Sequence, residues 1–233
     1  MALTLAQAPR LLDQPYSTLE SGWTRLPSGE LYIAAHTFMP AVTSAMIDWW
    51  FGYIHSTADY ALWHPYDHIS SAWAGPRLNN STYIGGHHLV EERIGGQLQR
   101  LRLSFVSPGV YFGPDWERKF REHGWATAVC ARVGTWDGSG ADAPTVRTGH
   151  VIHLVRDEAG GARMRSRFWV GDVEGLPAGP EGVAVREGLF RDEVAEGLLR
   201  HASEEMAFLG NVLPGMYARH SRDGNVVKAK GKL

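Results

Sequence analysis

A chain of 233 residues, 44% hydrophobic and 21% charged, can bury a sizeable core and suits one domain over residues 1–233 better than two small ones. Its net charge of −2 leaves no basic footprint for nucleic acid, and the lysines of "KAKGKL" at residues 228–233 read as a solvated tail. The single cysteine, Cys130, excludes an intrachain disulfide framework and a cysteine-rich zinc site, so any metal must be held by histidine and carboxylate.

In chain order, "MALTLAQAPRLLDQPY" has no basic region followed by a long apolar run, and no later stretch is apolar enough to span a bilayer. The expectation is a soluble, cytoplasmic protein without a membrane partner. From Thr43 to about Ala61 the apolar spacing predicts one helix, with Thr43 or Ser44 as N-cap. Pro65 then turns the chain, leaving His64 and His68 on or beside a loop. From Ser81 onward, "STYIGGHHLVEERIGG", "QLQRLRLSFVSP", "ATAVCARVGTW", "TVRTGHVIHLVRD" and "ARMRSRFWVGDV" read as strands of an antiparallel meander separated by Gly, Pro, Asp and Ser clusters. A long helix is expected from about Glu187 to Val212, ended by Pro214 and Gly215. A strand-rich middle closed by a terminal helix predicts an α+β fold with the sheet wrapping that helix.

The terminal helix poses the chemical question. Counted in helical steps, its inward face runs Val194, Leu198, His201, Glu205, Phe208, Val212, so an imidazole and a carboxylate interrupt an apolar row. Buried ionisable groups normally have a partner or a metal. Residues four apart stand one above the other, so His201 and Glu205 can offer a nitrogen and an oxygen to one point. An exposed His/Glu pair of this spacing would instead share the polar face with Arg200 and Glu204. In "HHLVEERIG", period-two alternation puts His88, Val90 and Glu92 on one face and His87, Leu89 and Glu91 on the other, and either could be inward. "DYALWHPYDHISSAW" clusters Tyr60, His64, Asp67 and His68, where a carboxylate could fix the tautomer of a ligating histidine. His150 and His153 have opposite parity, so only one can face the concave side. The 9 Trp, 8 Tyr, 8 Phe and 11 His suit a roomy cavity for a planar ligand.

Taken together, "YALWHPYDH", "HHLVEERIGG", "MRSRFWVG" and "RHASEEMAFLGNVLPGMY" resemble the 2,4-diacetylphloroglucinol hydrolase family, whose relatives include phloretin hydrolase. The resemblance spans about residues 45–217. It implies a helix-grip, Bet v 1-like fold, in which a curved antiparallel sheet wraps a long C-terminal helix, and a zinc-dependent hydrolysis of a carbon–carbon bond. The metal set it implies is His201 and Glu205 with Glu92 and His68, His64 being the alternative to His68. Tyr60 becomes the phenol that contacts substrate hydroxyls, and His153, with His150 second, the sheet histidine beside the substrate ring. Phe168 and Trp169 occupy the "RFW" strand, where relatives would place a second tyrosine.

The function expected is hydrolysis between an acyl group and a polyhydroxylated aromatic ring, with Tyr60 and either His153 or His64 handling protons and Zn2+ activating the carbonyl or water. A non-catalytic carrier of aromatic or polyketide ligands, and a member recruited as a cyclase or 1,3-diketone hydrolase, are the alternatives. The partner expected is a small aromatic or polyketide substrate, with a homodimer left open.

Overall fold

Runs that alternate apolar and polar residues fold as strands because each strand then has one face for the core. The computed structural model describes residues 2–13, 18–75, 82–140 and 143–222; the basic tail at 228–233 and Ser81 lie outside them. Among the described residues one sheet contains β1 (Gly22–Arg25), β2 (Leu31–Pro40), β3 (His68–Ala74), β4 (His87–Ile94), β5 (Gln97–Val106), β6 (Thr127–Trp136), β7 (Thr145–Glu158) and β8 (Gly161–Val170). Its order is β1-β2-β8-β7-β6-β5-β4-β3, every pairing antiparallel. The expected meander is therefore present as β4 to β8. The sequence reading missed β3 and the β1–β2 hairpin, which reaches the far edge by pairing β2 with β8.

One face of the sheet packs on the long helix α6 (Asp192–Arg222) together with α1 (Ser44–Tyr53) and α2 (Thr57–Trp63). The other is covered by a short 3-10 helix (Leu5–Leu12), α3 (Gly109–Phe112) and α4 (Trp116–His123), around Leu11, Tyr32, Phe112, Phe120 and Trp169. This is an α+β helix-grip arrangement. On the covered face Arg165 and Arg167 are fully buried and both bond Glu20 at 2.5 Å. Burial pushes the Glu20 carboxyl up, but the Arg165 hydrogen bond and the Arg167 charge outweigh it and hold the pKa at about 2. No helix among the described residues is long and apolar enough to cross a membrane.

Three expected helix boundaries need correction, and so does the inward row of α6. The segment 43–61 is two helices: Ser56 Oγ accepts the Asp59 N–H, and the Asp59 carboxylate accepts the N–H groups of His55 and Ser56, a capping box that stops α1 and starts α2. The segment from Glu187 is also divided, α5 (Pro180–Leu189) ending at Phe190 before α6 begins. Pro214 does not end α6, which continues to Arg222. The proline costs the hydrogen bond to the Gly210 carbonyl, but the last turns are held from outside, with Trp49 against Tyr217 and His220 at 5.3 and 5.2 Å. The fully buried row of α6 is Ala195, Ala202, Met206, Leu209, Leu213 rather than the row through Val194, which is 36% exposed. His201 and Glu205 stand at the edge of this row.

Candidate metal centre

Strand register places two of the four expected donors. His68 opens β3 directly across from Glu92 on β4. The inward face of β4 is His88, Val90, Glu92, all lining one cavity, while His87 and Glu91 turn outward. Helix α6 adds His201 and Glu205, one turn apart. His68 Nε2 lies 3.6 Å from Glu92 Oε2 and 3.7 Å from Glu205 Oε2, and His201 Nε2 lies 3.8 Å from Glu92 Oε2. The four residues are 4–8% exposed.

The second nitrogen of each ring decides what the first can do. His68 Nδ1–H donates to the Tyr60 carbonyl at 2.9 Å, so Nε2 carries the lone pair. His201 Nδ1 faces the Asp67 carboxylate at 3.4 Å, which leaves its Nε2 likewise. Neither Nε2 has a hydrogen-bond partner among the described residues. Burial pushes the His68 pKa down to about 2, keeping the ring neutral and available as a donor. Burial, then the charge of Glu92, raises the Glu205 pKa well above the usual carboxylate range. Two orphaned lone pairs facing two buried carboxylates fit a cation, which would offset the cost of burying them.

His64 is different. Its Nδ1 accepts the Asp67 N–H at 3.2 Å, so in the neutral ring Nε2 bears hydrogen and faces Glu204 Oε2 at 3.5 Å and Asp67 Oδ2 at 3.6 Å. Two groups could hold a metal by proximity, His68/Glu92/His201 and His64/Asp67/His201. Only the first offers lone pairs from both of its histidines.

Beside these donors is a cavity of about 430 Å³ between the sheet and α6. Phe51, Trp63, Phe105 and Phe168 give it aromatic walls. Tyr60 lines it, its ring stacked on His68 at 3.7 Å and its hydroxyl donating to Glu92 in a short hydrogen bond. Burial, then Glu92, raises the Tyr60 pKa well above 10. His153 lies in the wall between Phe51 and Phe168, Nδ1 at 2.8 Å from Ser166 Oγ, and burial lowers its pKa to about 4.

His150 takes the opposite parity. Its ring is engaged on the far face by Tyr111 Oη at 2.8 Å and Asp172 Oδ2 at 2.7 Å, with Arg132 alongside. Sequence reasoning gave His88 no role, although the parity that singles out Glu92 also brings His88 into the wall, bonded to Ser71 Oγ at 2.6 Å and stacked on Trp73. Phe168 lines the cavity, whereas Trp169 points to the opposite face and donates to the Leu3 carbonyl.

Among its relatives, a 2,4-diacetylphloroglucinol hydrolase of Pseudomonas sp is 27% identical over 225 residues, covering 89% of this chain and 74% of its own. The phloretin hydrolase of Eubacterium ramulus is 32% identical over 221 residues, covering 88% and 73%. Among solved structures, protein Ms6760 from Mycobacterium smegmatis is similar over 84% of this chain and 98% of its own, with 14% identity and a TM-score of 0.47. A family model described as DAPG hydrolase PhiG domain matches residues 3–218, so the likeness takes in the N-terminal strands as well as residues 45–217. On that match the chain belongs to the DAPG hydrolase PhiG domain family and is a hydrolase.

Proposed function

We propose that the cavity binds an acylphloroglucinol-type substrate and that the protein hydrolyses the carbon–carbon bond between acyl group and polyhydroxylated ring, with Zn2+ held by His68, Glu92, His201 and Glu205. The observation that carries this is the convergence of the two buried Nε2 lone pairs with two buried carboxylates beside an aromatic-walled cavity. Two nitrogen and two oxygen donors with an open position suit a catalytic rather than a structural zinc. When bound, zinc supplies Lewis acidity toward the acyl carbonyl and the attacking water.

The chain's own residues handle orientation and protons. Hydrolysis puts hydroxyl on the acyl carbon, leaves the bonding pair on the ring carbon, and requires a proton there; ring hydroxyls stabilise that charge by keto tautomerism. Tyr60 Oη, already bonded to Glu92, stands where it can meet a ring hydroxyl and relay a proton. His153 is neutral at pH 7 and therefore accepts a proton rather than supplying one. Phe51, Trp63 and Phe168 hold a planar ring and keep water from it.

Purified protein is expected to retain about one zinc per chain and to release a carboxylic acid from acylated polyphenols, and chelation or Glu205→Ala is expected to abolish that release. Full turnover by metal-free protein overturns the reading.

A further inference from the structure

We propose that Asp67 and His64 are positioning residues of the metal centre: Asp67 sets the tautomer and direction of His201, and His64 holds Asp67 in place. The inference rests on the reading that His201 Nε2 ligates the metal.

Asp67 lies in the turn between α2 and β3, immediately before His68, and its main chain is tied from both sides. Its N–H donates to His64 Nδ1 at 3.2 Å, its carbonyl accepts the Arg93 N–H at 2.9 Å, and the next N–H, of His68, reaches the His64 carbonyl at 3.1 Å. The carboxylate is thereby delivered to α6, where Oδ2 meets His201 Nδ1 at 3.4 Å. An imidazole can offer Nε2 to a metal only while Nδ1 carries the hydrogen, and a carboxylate acceptor at Nδ1 enforces that state and raises the basicity of the ring. His68 gets the same service from a backbone carbonyl, which no side-chain substitution removes. His201 depends on Asp67.

His64 forms the next layer. It is 1% exposed, its ring lies parallel to His201 at 4.9 Å and 3°, and it does not line the cavity. With Nδ1 occupied by the Asp67 N–H, its Nε2 lies 3.6 Å from Asp67 Oδ2 and 3.5 Å from Glu204 Oε2, close enough for charge attraction though hydrogen-bonded to neither. Glu204 is held in turn by Arg200 at 2.8 Å. A series thus runs from the surface inward through Arg200, Glu204, His64, Asp67 and His201. The "HPYDH" motif divides its labour: His68 as donor, Asp67 as orienter, His64 as support.

The test is metal affinity of the full chain, measured by stripping the protein and titrating Zn2+ and Co2+ against a competing chelator. Asp67→Ala is expected to weaken binding about 10–100-fold and to alter the cobalt absorption spectrum, while melting of the metal-free protein stays near that of the parent. Asp67→Asn, which keeps the shape without the charge, weakens binding less and serves should the alanine variant fail to fold. His64→Phe, a flat ring without an N–H, shifts affinity in the same direction by a smaller factor. Parent-like affinity and spectrum in the Asp67 variants overturn the inference alone. A parent protein that binds neither ion overturns the metal reading and the inference with it.

Discussion

His64, His68, His150, His153 and His201 share one side chain and differ in use because their ring nitrogens meet different partners. A backbone carbonyl turns His68 into a lone-pair donor, a backbone N–H occupies the Nδ1 lone pair of His64, and Tyr111 with Asp172 engages His150 on the far face. His153 is defined by burial. Its folded pKa, about 4, lies below the ordinary 6.5, so on acidification the unfolded chain takes up a proton first. Its neutral burial therefore contributes fully above about pH 6.5, and that contribution is lost as pH falls toward 4, by on the order of 3 kcal/mol. Urea unfolding of parent and His153→Gln at pH 7 and pH 4.5 should show the parent's advantage shrinking by up to about that amount in acid; parallel pH profiles would refute the assignment. Parity in the sequence already separated His153 from His150 and grouped Glu92 with His88. No local pattern reveals which nitrogen carries the proton.

At the scale of elements, one contact sets how far apart the two halves of the centre stand. Gly95 and Gly96, both with positive φ (59° and 78°), make the two-residue turn between β4 and β5. The turn presses on α6 at Gly197, where an added Cβ would lie 2.8 Å from Gly95 Cα. Gly95 is three residues beyond Glu92, and Gly197 is one helical turn before His201. Alanine in a helix interior normally gains about 1 kcal/mol over glycine, but at Gly197 overpacking of about 1–3 kcal/mol opposes it. Gly197→Ala is expected to lower the Tm and weaken zinc binding by separating Glu92 from His201. Gly188→Ala in α5, with nothing within 4 Å, should leave stability level or raise it. Equal stabilisation by both substitutions would show that the turn does not bear on the helix. The helix breaks are also element-scale facts: the Ser56/Asp59 box was readable in the sequence as S-x-x-D and went unread because the apolar spacing runs across it.

For the molecule as a whole, the four donors join the β3–β4 edge to α6, so on the proposed reading metal binding and folding are linked. Any ion that binds only the folded chain stabilises it by about 4 kcal/mol when free metal is a thousandfold above Kd. For a domain of this size that corresponds to a rise in Tm on the order of 10 °C. Melting curves with Zn2+ and with chelator should differ by that order, and coincident curves would mean that no ion sits at the joint.

Sequence alone determined the α+β class, the strand runs from β4 to β8, the His201/Glu205 pair and the grouping of Glu92 with His88, because period two and period 3.6 are written in near neighbours. Tertiary structure decided the rest. The β1–β2 hairpin is a strand pair only because β8 offers an edge; α6 passes Pro214 because Trp49 packs on its far turns. The inward row of α6 was settled by the sheet it meets. Whether His64 or His68 can present a lone pair depends on which backbone groups the α2–β3 turn brings to each ring, and His201 waits on an aspartate 134 residues away. Such partners are set by the closing of the chain on itself, and one-dimensional spacing does not encode them.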